Sequence, residues 1–184
     1  MAVSDEIKNA LDNSDLLFTE PQVEEAIDKM ADDITKDLAD TNPVVFSVMN
    51  GGLVLTGKLV TKLGFPLEIS YLHATRYRNQ TNGRELEWRT YPQQSLKDRN
   101  VLIVDDIHDE GHTLAEIVKH CKAEGVASVK VAVLVEKLHD RKAIPGWLPD
   151  YIGLECEDRY IYGYGMDLKG YWRNAPGIYA LKGM

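Results

Sequence analysis

The sequence is poor in several features that mark other classes of protein. Its 184 residues include only two cysteines, Cys121 and Cys156, so no disulfide framework is expected and a reducing compartment is the natural setting. No stretch approaches the ~18 consecutive apolar residues that a membrane span requires. The N-terminus is acidic and polar and lacks the apolar run of a signal peptide. These absences predict a cytoplasmic protein that makes no contact with membranes.

Positive charge is also in short supply. Acidic residues outnumber basic ones by 29 to 21, which gives a formal net charge of -8. A field of that sign repels nucleic acid and anionic lipid, so neither is predicted as a partner. The apolar fraction of 44% is ordinary for a globular chain, and the length suffices for one domain with a sizeable core.

The spacing of apolar residues predicts an α/β fold. A helix is expected over Pro21–Leu38, because its apolar residues recur every three or four positions after the Thr19 cap. Further helices are predicted over Leu53–Leu63 and from about Thr113 to Glu124, and strands over Pro43–Met49, Pro66–Ala74, Val101–Asp106 and Ser128–Lys137. The strands are continuous apolar runs, so we expect a mostly parallel, twisted sheet flanked by helices.

Two segments fall outside that alternation. Arg76–Gln94 is polar and long, which favours a mobile lid, with a static hairpin as the alternative. The chain from Ala143 onward is aromatic and rich in Gly and Pro, and it predicts a hood over one sheet edge. We therefore expect one domain over residues 1–184, with a core at about 40–142 and a hood made of about 143–184 plus the N-terminal segment.

The stretch VLIVDDIHDEGHT (Val101–Thr113) carries the chemistry. Gly111 permits a tight turn before a helix N-terminus, where backbone N–H groups and the Thr113 hydroxyl suit a phosphate. Asp105 and Asp106 stand at the expected strand end and suit a vicinal diol or a hard cation. Together these groups outline a ribose 5-phosphate site; the alternative is that the two acids only cap the helix. Neither a Walker A loop nor a G-x-G-x-x-G fingerprint is present.

This stretch resembles the diphosphoribose-binding motif of type I phosphoribosyltransferases, and other segments resemble the hypoxanthine-guanine branch over nearly the whole chain beyond residue 18. The resemblance implies that family's fold and a role in purine salvage. It implies transfer of 5-phosphoribosyl from 5-phosphoribosyl 1-diphosphate to N9 of hypoxanthine or guanine, which yields IMP or GMP and pyrophosphate. It also implies dependence on Mg²⁺ and assembly as a homodimer or homotetramer.

The resemblance assigns roles to the acidic loop. Asp109 matches the general base at the purine N7 proton. Asp105 and Asp106 match the acids that hold the ribose hydroxyls, directly or through magnesium. The 5-phosphate is assigned to the loop Glu110, Gly111, His112 and Thr113. Glu110 would contribute its backbone N–H while its side chain faces solvent, since two anions repel.

The leaving diphosphate has its own matches. Asn50, Gly51 and Gly52, within VMNGG, resemble the pyrophosphate loop, although an N-G-G sequence alone is a common turn. Asn50 stands where many family members carry lysine, which removes one positive charge. Arg173 matches an arginine that binds pyrophosphate, for which a guanidinium fork is well suited.

The purine base is assigned to the C-terminal part. Lys137 matches the lysine at the 6-oxo group, Tyr160 the stacking aromatic, and Ile161 the backbone that hydrogen-bonds the base edge. Asp167 matches an acid that coordinates magnesium near the purine 2-position, so the implied metal ligands are Asp105, Asp106 and Asp167. Without the resemblance, a lone lysine is usually solvated and such aromatics usually pack in a core.

Arg76 and Tyr77 match the start of the mobile loop, and Arg76 is assigned to the substrate. His108 and Glu110 depart from the residues common in the family at these positions. No chemical role is predicted for His73, His120 or His139, and neither cysteine has the setting of a nucleophile.

Two rival functions stay open. A regulatory protein could keep the donor site without catalysis, although such relatives usually carry a nucleic-acid-binding surface and no basic stripe is present here. A transferase for adenine or a pyrimidine is the other rival, and Lys137 and Tyr160 argue against it.

Overall fold

Six strands form the larger of two sheets. The computed structural model of the chain describes residues 2–76, 86–92 and 94–183, apart from the side chains at 75, 76, 86 and 87. The sheet order is β4-β3-β2-β5-β6-β7. The strands are β2 (Val44–Val48), β3 (Glu68–Arg76), β4 (Leu86–Thr90), β5 (Asn100–His108), β6 (Ser128–Leu138) and β7 (Tyr151–Glu157). All neighbouring strands are parallel except β3 and β4, so the predicted mostly parallel sheet is confirmed.

Helices cover both faces of this sheet, which explains why its strands are continuously apolar. One face packs against α2 (Glu20–Leu38) and α3 (Gly52–Val60), and the other packs against α4 (His112–Ala123). Leu102 and Val104 of β5 belong to the first cluster, whereas Val101 and Ile103 belong to the second. No helix in the described ranges is long and apolar enough to cross a membrane.

The start of α2 follows from its sequence. The Gln22 side chain accepts hydrogen bonds from the backbone N–H and the hydroxyl of Thr19, at 2.9 and 2.8 Å. Pro21 lies in the first turn, where the missing N–H costs nothing. The predicted apolar face is buried throughout: Val23, Ile27, Met30, Ile34 and Leu38.

A second, antiparallel sheet forms the hood. Its order is β1-β9-β8, with β1 at Ser14–Thr19, β8 at Ile161–Tyr162 and β9 at Gly177–Leu181. A short helix, α1 (Asp5–Lys8), packs beneath it through Ile7. The expected boundary near residue 143 is wrong for β7, which pairs with β6 in the larger sheet. Gly153 interrupts the apolar pattern there because a Cβ would approach the Leu134 carbonyl to 2.8 Å.

Strands β3 and β4 form an antiparallel hairpin that includes part of the segment Arg76–Gln94. His73 pairs with Thr90 and Arg76 with Leu86, in antiparallel register. Tyr77, the expected tip of the lid and the side chain of Arg76 lie outside the described residues.

Candidate active site

The site lies where the chain reverses its direction across the sheet. From β2 the chain passes through α3 to β3 on one side, and from β5 it passes through α4 to β6 on the other. The crevice beyond the carboxyl ends of β2 and β5 is the usual ligand position in such sheets. A cavity of about 580 Å³ opens there. Its lining includes these predicted residues: Asn50, Gly51, Asp105, Asp106, Asp109, Glu110, Gly111, His112, Thr113, Asp167 and Arg173.

Asp105 and Asp106 sit inside a strand, not at its end as predicted. Pairing of β5 with β6 continues as far as His108, because the long strand β6 still offers backbone partners there. Pairing of β5 with β2 stops at Val104, so both acids project beyond the end of β2 and border the cavity. Both are nevertheless buried, at 9% and 8% exposure.

The two acids are electrostatically unusual. Burial, followed by the neighbouring Asp106 carboxylate, raises the pKa of Asp105 well above its ordinary value. Burial also raises the pKa of Asp106, although Asp105 and Arg173 act in the opposite direction. The Asp105 Oδ1 accepts the backbone N–H of Asp106 at 2.9 Å. Such a pair can be stabilised as carboxylates by a cation or by hydroxyl donors.

Glycines let three loops meet at this point. A Cβ on Gly51 would lie 2.1 Å from the Asp106 Oδ2, and a Cβ on Gly52 would lie 2.4 Å from the Val104 carbonyl. Gly165, with φ of +109°, would place a Cβ 2.1 Å from the Gly51 carbonyl. The peptide bond between Met49 and Asn50 is cis. Gly51 lines the cavity, whereas Gly52 is not part of its described lining.

The N-terminus of α4 faces the cavity. Gly111, with φ of +81°, is its N-cap and provides no side-chain hydrogen bond. The first-turn N–H groups, which have no intrahelical partners, are therefore available to an anion. Glu110 is not directed simply into solvent as predicted. Its side chain is 34% exposed, lines the cavity and lies 3.7 Å from the His112 Nε2.

Asp109 is held by two basic side chains from the end of β6. The Lys137 Nζ lies 3.4 Å from its Oδ2, and the His139 Nε2 lies 2.7 Å from its Oδ1. The same ammonium lies 3.3 Å from Asp158, which also pairs with Arg141 at 2.6 Å. His139, for which the sequence predicted no chemical role, therefore contacts the predicted general base. In the sequence, His139 directly follows β6, the strand that pairs with β5, and this position could have indicated the contact.

Asp109, His139 and Asp158 bring their ligand atoms within 4.8 Å of one another. Lys137 lies between the two carboxylates and supplies compensating charge, so ion pairs account for the proximity of these side chains. Asp105, Asp106 and Asp167 line one cavity, but they form no comparably close group among the described residues.

Arg173 and Asp167 fix the hood to the cavity wall. The guanidinium donates at 2.5 Å both to the Asp167 Oδ1 and to the Gly165 carbonyl, and it lies 3.8 Å from the Asp106 Oδ2. The Asp167 Oδ2 accepts the Gly170 N–H at 2.6 Å. Both oxygens of Asp167 are thus engaged, and only their remaining lone pairs face a ligand.

Tyr160 and Ile161 are not part of the described lining of the cavity. The Tyr160 ring is 42% exposed, and its hydroxyl donates to the Asp167 carbonyl at 3.4 Å. Because the Tyr160 carbonyl accepts from Leu181 of β9, the alternation of a strand directs the polar backbone groups of Ile161 toward the free edge of β8.

Two polar side chains of the described cavity lining were missed by sequence reasoning, His73 of β3 and Arg89 of β4. Arg89 has no paired carboxylate among the described residues, whereas Arg173 is already bound to Asp167. No sequence pattern marks Arg89, because only the β3–β4 pairing carries it to the cavity.

A buried ion pair supports the acidic loop from behind. The Glu136 carboxylate contacts the His108 Nδ1 at 2.5 Å and the Lys142 Nζ at 2.6 Å. Lys142 also donates to the carbonyls of His108, Asp109 and Lys137 at 2.9, 2.7 and 2.8 Å. Burial lowers the pKa of His108 and outweighs the opposing Glu136. His108, which departs from the residue common in the family at this position, therefore supports the loop structurally.

Comparison with known proteins agrees with this geometry. Residues 13–167 match the family model described as the phosphoribosyl transferase domain. A hypoxanthine-guanine-xanthine phosphoribosyltransferase of Tritrichomonas foetus is 31% identical and covers 91% of each chain. The hypoxanthine-guanine phosphoribosyltransferase of Bacillus subtilis is 29% identical over 91% of this chain and 92% of its own. A crystal structure of a Staphylococcus aureus hypoxanthine phosphoribosyltransferase superimposes with a TM-score of 0.87 at 25% identity, over 94% of each chain. This chain therefore belongs to the phosphoribosyltransferase family, in its hypoxanthine-guanine branch.

Proposed function

We propose that this protein transfers a 5-phosphoribosyl group from 5-phosphoribosyl 1-diphosphate to N9 of hypoxanthine or guanine. The observation that carries the proposal is one cavity at the carboxyl ends of adjacent strands. It joins a helix N-terminus without a side-chain cap, a buried acid pair and Asp109, whose contact Lys137 lies outside the described lining. An anion, a sugar diol and a purine each find a matching group there.

The donor would bind at the acid pair Asp105 and Asp106 and at the N-terminus of α4. The N–H groups from Glu110 to Thr113 receive the 5-phosphate, and Asp105 and Asp106 receive the ribose hydroxyls. The amides of Asn50–Gly52 and the Arg173 guanidinium receive the diphosphate. Arg89 supplies positive charge that Asn50 does not, which supports binding of a polyanion by a chain of net charge -8.

The base would lie between Lys137 and the hood. Lys137 donates to the 6-oxo group, Tyr160 stacks on the ring, and the Ile161 backbone meets the base edge. N9 then bonds to the ribose C1′ while the bond from C1′ to the diphosphate oxygen breaks, and pyrophosphate leaves with the bonding electrons. Asp109 accepts the N7 proton and stabilises the positive charge that develops during transfer.

The buried carboxylates of Asp105 and Asp106 are suitable ligands for Mg²⁺. Asp105 and Asp106 are buried oxygen donors whose pKa values are raised by burial, and a divalent cation would offset that cost. These two residues, with the remaining lone pairs of Asp167, are the groups we propose to hold it. When bound, the ion screens the negative charge of the diphosphate.

Domain organisation, self-association, cellular location and the role of Arg76 are also part of the proposal. We propose one domain over residues 1–184, since Ile161 and Ile178 of the hood share a hydrophobic core with Leu102 of the larger sheet. We further propose self-association as a homodimer or homotetramer and a cytoplasmic location. Arg76 is proposed as a donor contact from the β3–β4 hairpin.

An assay of the purified protein tests the proposal. The protein is mixed with Mg²⁺, 5-phosphoribosyl 1-diphosphate and one base: hypoxanthine, guanine, xanthine or adenine. We expect nucleotide and pyrophosphate to form with hypoxanthine or guanine and little product with adenine. Absence of product with both hypoxanthine and guanine would refute the proposed function. Binding of RNA or DNA at physiological salt would instead favour a regulatory protein.

A further inference from the structure

We propose that His139 is a positioning residue for the transfer, acting through Asp109. The imidazole holds the Asp109 carboxylate in the orientation that accepts the N7 proton of the base. The inference rests on the proposed function, in which Asp109 is the proton acceptor, and it gives a role to a residue for which the sequence suggested none.

The hydrogen bonds of His139 determine its tautomer. The backbone N–H of Arg141 donates to its Nδ1 at 3.1 Å, so the neutral ring carries its hydrogen on Nε2. That N–H points at the Asp109 Oδ1, 2.7 Å away. His139 is therefore the donor and Asp109 the acceptor.

Burial makes this contact a rigid one. The His139 side chain is 4% exposed, whereas the Asp109 side chain is 44% exposed and lies just beyond β5. Among the described residues, the other ion pair of the Asp109 carboxylate is with Lys137, whose Nζ is farther away, at 3.4 Å, and is shared with Asp158. Without the imidazole the carboxylate can rotate, and small misplacements of a reacting group cost much rate.

His139 is not a proton relay in this arrangement. Its Nδ1 is occupied by a backbone donor, so no group stands ready to take a proton from the far side of the ring. The proton from N7 passes to Asp109 and leaves from there to solvent, because that side chain is partly exposed.

A matched pair of variants tests the proposal. His139→Asn can still accept from the Arg141 N–H but is too short to reach Asp109, whereas His139→Gln can place an amide N–H near the position of Nε2. We expect H139N to lower kcat about tenfold to hundredfold with little change in the KM for the donor, and H139Q to recover most of that rate. Wild-type kcat in H139N, or equal losses in both variants, would overturn the proposal.

A double-mutant cycle separates this role from a general loss of structure. If His139 acts through Asp109, then H139N should cost little further rate in an Asp109→Asn background. An undiminished loss in that background would contradict the proposal. If H139N does not fold, His139→Glu replaces it, since it has the length of Gln but lacks an N–H donor. Equal rates for the Glu and Gln variants would then count against the role.

One readout is independent of activity. The ¹⁵N chemical shifts of His139 should show the tautomer protonated at Nε2, and a ring protonated at Nδ1 would refute the geometry. Absence of nucleotide formation by the unsubstituted protein refutes the proposed function, and the NMR measurement then still decides whether His139 holds Asp109.

Discussion

The Lys142 ammonium lies 2.6 Å from the Glu136 carboxylate, and both side chains are almost completely buried. From this position Lys142 donates to three carbonyls at the carboxyl ends of β5 and β6. The pair thereby joins the two strand ends that carry Asp109 and Lys137. Burying a charged pair is costly by itself, so its value lies in fixing this part of the backbone.

Removal of this lysine should destabilise the protein strongly. Lys142→Met leaves the Glu136 charge buried beside a neutral side chain, and we expect the free energy of unfolding to fall by about 3 to 5 kcal/mol. Urea denaturation measures the change. The matched control is Lys36→Met, which removes an exposed pair with Asp33 and should leave the free energy of unfolding nearly unchanged. Equal losses in the two variants would show that Lys142 has no special structural role.

Gly51 should tolerate no side chain. In Gly51→Ala the new Cβ would meet the Asp106 carboxylate at 2.1 Å, so the acid must move and donor binding should fail. We expect loss of nucleotide formation and of donor binding by calorimetry. Gly57→Ala is the control, because nothing lies within 4 Å of its Cβ within α3. That change should keep activity and raise the free energy of unfolding by about 0.5 to 1 kcal/mol.

Arg89 should contribute to binding of the anionic donor. Arg89→Gln removes a cavity cation that has no paired carboxylate among the described residues, so the KM for the donor should rise about threefold to tenfold while the KM for the base changes little. Steady-state kinetics with each substrate varied in turn measures both constants. Arg99→Gln serves as control, since Arg99 pairs with Glu68 and does not line the cavity. An unchanged KM for the donor would exclude the contact.

The stability conferred by Asp158 should depend on pH. The hydrogen bond from Arg141, opposed in part by burial and assisted by Lys137, lowers the pKa of Asp158 to about 2. An unfolded aspartate has a pKa of about 3.9, so the stabilisation is complete above that pH and is lost as the pH falls through the folded value. Thermal unfolding of Asp158→Asn should therefore differ from wild type at pH 6 and converge with it near pH 2. A difference of equal size at pH 6 and near pH 2 would contradict this expectation.

Most of the core elements could be predicted because their signals are local. The helix at Glu20–Leu38 and the strands β2, β5 and β6 follow from apolar spacing and from apolar runs buried on both faces. The strands β1, β7, β8 and β9 escaped prediction. These strands are short or of mixed polarity. Each depends on pairing with another strand, and the local pattern of apolar residues does not reveal that pairing.

The acidic loop Val101–Thr113 and its glycine were determined by the sequence alone, because a strand, two acids and a turn before a helix are contiguous in the chain. The exact position of the acids was decided by the long partner strand β6, which extends β5 as far as His108. His139, Arg89 and Lys142 were also decided only by the tertiary structure. His139 lies 30 residues from Asp109, and parallel pairing of β5 with β6 brings the two together at one edge of the sheet. A contact of that kind has no local pattern, since its free energy comes from burial and hydrogen bonding that exist only after the strands have paired.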